Sequence, residues 1–323
     1  MAIADKTLGS LGEFGLIDLI RQKFRVPHGT VGIGDDCAVI PSGTDDLLVT
    51  TDMLVEGIHF LGDKIAPEQL GHKSVAVNLS DIAAMGGEGV GTFLSIALPP
   101  TTPQQWAERF IEGYRAISDR YGVPLLGGDT TSSGNDIVVN VAVLGHLPHG
   151  KAKLRSAARL GDTVAVTGTL GDSGGGLRII LEERPHDKDA DFLLDRHLAP
   201  LPQMELGATL GGSEQVHAMM DISDGIASDL RHILSASGVG AVVDLEQLPL
   251  SEPLRRTASL YGWQAERIAA SAGEDYELLF TIDPSAALPK GTTAIGRIVE
   301  GSGIEWRSGG RRLEDNIMGF RHF

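Results

Sequence analysis

The chain has one cysteine, Cys37, among its 323 residues. A single thiol cannot form an internal disulfide, so a disulfide-stabilised secreted scaffold is excluded. No apolar run approaches the roughly 18 residues needed to span a membrane, and the stretch MAIADKTLGSLGEF lacks a signal-peptide pattern. We therefore expect a soluble protein of the reducing cytoplasm, in which Cys37 is buried as a small apolar residue.

Aromatic residues and positive charge are also scarce. Aromatics are 5% of a chain that is 42% hydrophobic, so any core consists mostly of aliphatic side chains. Lys and Arg number 27 against 43 acids, which gives a net charge of -16. Binding a nucleic-acid duplex requires a basic stripe, and the sequence shows none, so we expect no nucleic-acid partner. An acidic protein can still bind phosphates when divalent cations lie between the two negative parties.

Strand-like and helix-like patterns alternate in both halves of the chain, which predicts two α/β or α+β domains. Apolar spacing, an opening proline and closing glycines predict a helix over 67–87, and a second helix is predicted over 102–121. Helical spacing also covers 8–24. The run VGIGDDCAVI, residues 31–40, is predicted to be a strand.

A segment with the proline, glycine and charge of a linker occupies residues 147–162. We therefore divide the chain into an N-terminal domain, residues 1–148, and a C-terminal domain, residues 149–323. A chain of this length is sufficient for two cores of ordinary size.

Aspartates end or interrupt apolar elements at seven positions, which are Asp35, Asp36, Asp52, Asp81, Asp129, Asp221 and Asp224. Any one of them, Asp224 in particular, has an ordinary interpretation as a helix cap or turn residue. All seven together favour a site at strand ends, where α/β proteins bind ligands.

Clustered carboxylates repel one another unless a cation neutralises them. Ligands that offer only oxygen suit Mg²⁺, which typically links protein carboxylates to substrate phosphates. Zinc is disfavoured because the single cysteine and the scattered histidines provide no ligand cluster. The chain lacks the P-loop pattern, and GIGDDC fails the dinucleotide fingerprint at its last position. Nucleotide binding through metal ions is therefore the interpretation that remains.

The sequence GDSGGG, residues 171–176, permits two interpretations. GDSGG matches a nucleophile pattern, in which Ser173 would need a histidine base such as His217, His232 or His322. Nothing marks any of these histidines as special. We therefore favour the second interpretation, in which the glycines allow close packing where a strand turns into a helix.

Eight blocks, in order along nearly the whole chain, resemble the thiamine-monophosphate kinase family: GIGDDCAV, TTDMLVEGIHF, KSVAVNLSDIAAMGG, LLGGDTT, RSAARLGDTVAVTGTLGDSGGGL, DISDGIASDL, GEDYELLF and GFRHF. Altered forms of several blocks recur in aminoimidazole-ribotide synthetase, selenophosphate synthetase and a hydrogenase-maturation factor. The blocks TDMLVEGIHF and GEDYELLF favour the thiamine branch.

The resemblance implies ATP- and Mg²⁺-dependent phosphorylation of thiamine monophosphate to thiamine diphosphate. It implies an aminoimidazole-ribotide-synthetase-like α/β (α+β) fold of two domains. It also implies that the N-terminal domain pairs in a homodimer and that the nucleotide lies near the dimer interface. By motif match, the metal-site residues are Asp35, Thr50, Thr51, Asp52, Asp81, Asp129, Asp221 and Asp224. The residues assigned to ATP are Gly128, Asp129, Arg155 and Ser223, and those assigned to the substrate are His59, Glu274 and Phe320. Asp36 matches the motif, but its role as metal ligand or supporting residue stays open.

The chemistry agrees with the residue inventory. A phosphate monoester is already largely ionised near neutral pH because its second pKa is about 6, so no general base is required. We expect direct in-line transfer, without a phosphoenzyme. Two other activities stay open: ATP-dependent activation of an amide or carbamoyl group, which would reuse the same acids, and metal-independent hydrolysis at Ser173. A purely structural role would leave the seven aspartates unexplained.

Overall fold

Two β-sheets, each with its own helices, make up the part of the chain that the computed structural model describes, residues 12–314 and 317–319. The first sheet contains β1 (Ala38–Ser42), β2 (Asp45–Val55), β3 (Glu88–Leu98), β4 (Leu125–Ser132) and β5 (Val138–Pro148). The second contains β6 (Thr163–Thr167), β7 (Val216–Asp221), β8 (Gly240–Asp244), β9 (Leu278–Ile282), β10 (Thr292–Val299), β11 (Gly303–Ser308) and β12 (Arg311–Arg312). The helices are α1 (Glu13–Arg21), α2 (Pro67–Ala84), α3 (Gln104–Tyr121), α4 (Asp172–Leu181), α5 (Lys188–Leu198), α6 (Met204–Gly212), α7 (Ile226–Ser237), α8 (Glu252–Tyr261) and α9 (Ala265–Ser271).

The strand order is β1-β2-β5-β3-β4 in the first sheet and β12-β11-β8-β10-β6-β9-β7 in the second. Most neighbours are antiparallel, and the parallel pairs are β3 with β4 and β8 with β11. Helix α3 connects β3 to β4, as a parallel pair requires. The first sheet ends at Pro148 and the second begins at Thr163, so the segment predicted as a linker runs between the sheets.

Helix α2 lies at the junction of the two sheets and is buried over most of its length. It packs on α3 and the first sheet, and it also contacts β7 and α6. Its small residues permit this: Ala83 and Ala84 join a core cluster with Phe280 of β9. Because α2 is in contact with elements of both sheets, its polar side chains are placed at the interface between the two halves.

The predicted helices over 67–87 and 102–121 are confirmed as α2 and α3, and the predicted helix over 8–24 is described as α1, with residues 1–11 outside the described part. The prediction of a strand over 31–40 was wrong for residues 31–37, which form only isolated bridges, since β1 begins at Ala38. Asp35 forms an isolated bridge with Ile33 and Asp36 lies in a bend, and both aspartates bond to Arg155. Among the described helices, none is long and apolar enough to cross a membrane.

Candidate active site

A cavity of about 620 Å³ collects side chains from both halves of the chain. Several residues singled out from the sequence line it, and these are Asp52, His59, Asp81, Asp221, Ser223, Asp224 and Glu274. Apolar residues complete its wall, among them Phe60, Ile65 and Leu177. A concave site with an apolar wall and a few convergent charged groups is the usual form of a small-molecule site.

Asp36, Asp81 and Asp221 form a three-carboxylate group, in which one oxygen of each lies within 4.8 Å of the others. Asp81 projects from the buried helix α2, and Asp221 is the last residue of β7. Ser80 Oγ donates a hydrogen bond to Asp221 Oδ2 at 2.8 Å. Thr50 Oγ1 donates to Asp81 Oδ2. The group is therefore assembled from three separate parts of the chain and oriented by neighbouring hydroxyls.

The carboxylates of this region repel one another. Burial raises the pKa of Asp81 well above its ordinary value, and the charges of Asp52, Asp221 and Asp36 raise it further. Burial and Asp36 likewise raise the pKa of Asp221 and of Asp52. Raised pKa values in a cavity indicate negative charge that the protein alone leaves uncompensated.

The donor set of the three-carboxylate group fits a hard divalent cation. All three ligand atoms are carboxylate oxygens, the type that Mg²⁺ prefers. The nearby Cys37 is 2% exposed, and burial together with Asp81 raises the pKa of its thiol. The thiol therefore keeps its proton and offers no thiolate to a softer metal.

Arg155 supplies the positive charge for Asp36. Arg155 Nη2 donates to Asp36 Oδ1 at 2.5 Å, while the Arg155 backbone N–H donates to Asp35 Oδ1 at 2.8 Å. The two neighbouring aspartates therefore bind different groups of one residue, and within the described residues it is Asp36 that joins the three-carboxylate group. The assignment of Asp35 to a metal stays a prediction.

Two residues assigned to the substrate, His59 and Glu274, line the cavity. The backbone N–H of Val55 donates to His59 Nδ1 at 3.0 Å, so a neutral His59 carries its proton on Nε2. Glu274 Oε1 lies 3.0 Å from Lys73 Nζ. The third residue, Phe320, lies outside the described residues.

The structure does not bring Gly128 and Asp129 to this cavity. Gly128 lies in the same row of the first sheet as Asp52, separated from it by β5 and β3. Three strand spacings of about 4.8 Å amount to about 14 Å. Asp129 follows Gly128 and therefore projects from the opposite face of the sheet, where it is exposed. Thr51 is exposed on that same face, where Asn140 Nδ2 donates to its hydroxyl at 2.9 Å.

Ser173 lies in the cavity wall, but its surroundings do not form a hydrolase triad. Its Oγ is 2.9 Å from Nδ1 of His197, a histidine that the sequence did not single out. Glu274 Oε2 approaches the same Nδ1 at 3.3 Å, whereas in a triad the serine and the acid use opposite ring nitrogens. The interpretation of the glycines as packing residues is confirmed, since a Cβ on Gly176 would lie 2.3 Å from the Leu193 carbonyl oxygen.

Sequence reasoning missed several polar or charged residues of the cavity, which are Glu13, Lys64, Lys73, His197, Ser271 and Tyr276. One signal was present: Lys73 is the only positive charge in the buried run KSVAVNLSDIAAM, two helical turns before Asp81. A buried lysine requires a partner, and that partner, Glu274, is far away in the sequence.

Comparison with known proteins places this fold and site in a defined class. Residues 34–147 match the family model of the AIR synthase related protein, N-terminal domain, and residues 159–305 match that of the C-terminal domain. The two sheets and the cavity between them are thus those of an AIR synthase related protein.

Thiamine-monophosphate kinase of Salmonella typhimurium is 42% identical over 84% of this chain and 82% of its own length. Thiamine-monophosphate kinase of Aquifex aeolicus is 37% identical over 98% of this chain and 99% of its own. A solved structure described as AaThiL complexed with AMPPCP and TMP is 36% identical and covers 100% of both chains with a TM-score of 0.90. This chain belongs to the thiamine-monophosphate kinase family. The resemblance stated from sequence motifs and the expected two-domain fold are both confirmed.

Proposed function

We propose that this chain transfers the γ-phosphoryl group of ATP to thiamine monophosphate, forming thiamine diphosphate and ADP. Two-thirds or more of the chain aligns with relatives named for this activity, and a relative has been solved with AMPPCP and TMP. The observation that carries the proposal is the single cavity that holds both the acids and the pair His59 and Glu274. A phosphoryl donor and its acceptor must meet in one place.

We further propose that Mg²⁺ is required and is held by the three-carboxylate group together with Asp52. The supporting observation is the raised pKa of these buried acids, which a bound cation would relieve. When bound, the ions supply charge neutralisation for the transferring phosphoryl group. Asp35, Thr50 and Asp224 stay further candidates for this role, as expected from the family motifs. Thr51 and Asp129, on the opposite face of the first sheet, stay candidates only for a site shared with a partner.

The chain's own residues then position the reactants and add a fixed charge. Arg155, whose guanidinium is already oriented by Asp36, adds a cation beside the phosphates. Ser223 and His59 line the cavity and would contact the bound reactants. An ionised oxygen of the acceptor phosphate attacks the γ-phosphorus, and the bond to the bridging oxygen of ADP breaks. No proton needs to be removed, so no general base is assigned.

We propose that the protein functions as a homodimer through the open face and edge of the first sheet. Every residue of the edge strand β4 is exposed. Apolar side chains on β2, β3 and β4 are 38% to 54% exposed, and these are Met53, Phe93, Leu125 and Leu126. An exposed edge with apolar neighbours is a template for pairing with another chain. A second copy would cover it and would bring Gly128 and Asp129, distant from their own chain's cavity, toward the partner's.

Product analysis by chromatography tests the proposed function. The purified chain is mixed with ATP, Mg²⁺ and thiamine monophosphate, and we expect thiamine diphosphate and ADP in equal amounts. Addition of EDTA should abolish both products. Release of ADP without thiamine diphosphate, from a folded protein, would mean that the fold is right and the acceptor is wrong. Product formation that persists in EDTA would contradict the role of Mg²⁺.

A further inference from the structure

Lys73 is a fully buried cation in the wall of the cavity. Only 1% of its surface is exposed, and its Nζ contacts two groups of the C-terminal half. It lies 3.0 Å from Glu274 Oε1 and donates a hydrogen bond to the His197 carbonyl oxygen at 3.1 Å. His197 is in the last turn of α5, where unpaired carbonyls and the helix dipole favour a cation. Lys73 therefore connects helix α2, in the N-terminal half, to His197 and Glu274 in the C-terminal half.

The second oxygen of Glu274 is also bound. His197 Nδ1 lies 3.3 Å from Glu274 Oε2, and Ser173 Oγ lies 2.9 Å from the same nitrogen. Burial and Lys73 lower the pKa of His197 to about 4, so its ring is neutral at pH 7. Among the described residues, Lys73 thus supplies the full positive charge in direct contact with Glu274. We call Lys73, Ser173, His197 and Glu274 the Glu274 clamp.

The backbone of Glu274 is fixed as well. Its φ of 63° lies in the left-handed region, which is unusual for a residue with a side chain. Its N–H donates to the Ser223 carbonyl oxygen at 2.7 Å. A Cβ on the preceding Gly273 would lie 2.2 Å from that same oxygen, so the chain can approach this closely only with glycine there. An uncommon conformation held by its surroundings is a frequent feature of functional sites.

The negative charge of Glu274 is balanced by groups of the protein itself, without a ligand. Burial acts to raise the pKa of Glu274, but Lys73 and then His197 hold it below its ordinary value. The carboxylate is therefore ionised, and its charge is already balanced by an ammonium in contact with it. A quarter of the side chain stays exposed to the cavity. Such a group is a strong hydrogen-bond acceptor but a weak counter-ion for a further cation.

Helix α2 carries one residue of the Glu274 clamp and one residue of the three-carboxylate group. Lys73 and Asp81 are eight residues apart on this helix, which corresponds to about 12 Å along its axis. The helix is buried and therefore sets a fixed distance between the three-carboxylate group and Glu274.

We propose that Lys73 is a positioning residue for the phosphoryl acceptor, holding and neutralising Glu274 so that it accepts a hydrogen bond from an N–H donor of the substrate. This inference rests on the proposed function, in which the substrate carries both an amino group and a ring cation. The alternative is an ion pair that serves only to join the two halves of the fold.

The variant Lys73→Met tests this inference because it removes the charge and keeps the length of the side chain. We expect the KM for thiamine monophosphate to rise by at least about tenfold, since an unpaired buried carboxylate is repelled from its place. The KM for ATP should change by less than about threefold. An interdomain ion pair that only stabilises the fold would not separate the two constants in this way.

The double variant Lys73→Met/Glu274→Gln should restore the binding of thiamine monophosphate. Its amide oxygen is a neutral acceptor that needs no ammonium, so we expect the KM for thiamine monophosphate to return to within about threefold of the wild-type value. If Glu274 served as counter-ion to the ring cation, the double variant would be at least as impaired as the single one. Because the double variant buries no unpaired charge, it also tests the inference if Lys73→Met fails to fold.

Lys153→Met is a matched control. Lys153 is also partly buried and donates to the carbonyl oxygens of Ser213 and Val216 at 2.6 and 2.9 Å, but it does not line the cavity. We expect both KM values to stay unchanged in this variant. An unchanged KM for thiamine monophosphate in Lys73→Met, with active wild-type protein beside it, would overturn the inference alone. Absence of thiamine diphosphate from the wild-type protein would overturn the proposed function and, with it, this inference.

Discussion

At the scale of single residues, the acids of the cavity lower the stability of the folded protein while they provide the charge that its function needs. Asp221 is 3% exposed, and burial together with Asp36 raises its pKa to about 8. In the folded protein this carboxyl thus keeps its proton to a higher pH than in the unfolded chain. The folded state accordingly loses stability as pH rises from about 4 toward about 8. Such a cost is accepted at a site whose charge is needed for ligand binding.

The variant Asp221→Asn should therefore be more stable and less active. In EDTA at pH 8 we expect the free energy of unfolding to rise by about 1–2 kcal/mol, and this gain should shrink as the pH is lowered toward 4. With Mg²⁺ and ATP, turnover should fall by about 10²–10³. Denaturant titrations and product assays measure the two quantities.

Asp119→Asn, on the exposed face of α3, is the control and should change the free energy of unfolding by less than about 0.5 kcal/mol. A less stable Asp221→Asn protein in EDTA would contradict the account of repulsion among the acids.

At the scale of elements, α2 and α3 pack against each other at a pair of glycines, one on each helix. A Cβ on Gly71 would lie 2.1 Å from the Phe110 carbonyl oxygen, and one on Gly113 would lie 1.9 Å from the Glu68 carbonyl oxygen. The helices therefore approach backbone to backbone. Because α2 carries both Lys73 and Asp81, this contact also fixes the position of the cavity residues.

The variant Gly71→Ala should lower the free energy of unfolding by about 3 kcal/mol, because the added methyl group overlaps the α3 backbone. Gly212→Ala, at the end of α6 with open space around its Cβ position, should change it by no more than about 1 kcal/mol. Denaturant-induced unfolding of both variants measures the difference. Equal effects would show that the helices separate at little cost.

The sequence was sufficient to predict α2 and α3 but not their close approach. Local features mark the two helices. Apolar spacing marks both, and α2 is also marked by Pro67 and by the glycines after Met85. The glycines within the helices have no such local role, because a glycine inside a helix only weakens it. Their reason is the partner helix, which local patterns do not identify. The predicted strand over 31–40 was wrong over residues 31–37 for a similar reason, since Asp35 and Asp36 bond to the distant Arg155.

At the scale of the whole molecule, the proposed dimer assigns Asp129 to the cavity of the partner. The first sheet separates Asp129 from Asp52 by two intervening strands and places the two side chains on opposite faces. A site that needs both residues would then be complete only between two copies.

Mixing two inactive variants tests this arrangement. Asp52→Ala and Asp129→Ala should each be inactive alone, whereas a mixture refolded together should recover up to about a quarter of the wild-type turnover. Random pairing gives half heterodimers, each with one intact site of two. A mixture of Asp52→Ala with Asp81→Ala should recover none, since both acids line the same chain's cavity. No recovery with Asp129→Ala, in a sample that native mass spectrometry shows to contain heterodimers, would contradict the shared site.

The sequence by itself determined the kinds of element and the kind of chemistry. Periodicity reports which residues share a face, and acids at the ends of apolar elements indicate a cation and phosphates. Only the tertiary structure decided which groups meet. Asp36 rather than Asp35 joins Asp81 and Asp221, and Lys73 reaches the carbonyl of His197 across 124 residues of sequence. The reason is physical: distances between remote residues are set by strand order and helix packing, about which local spacing carries no information.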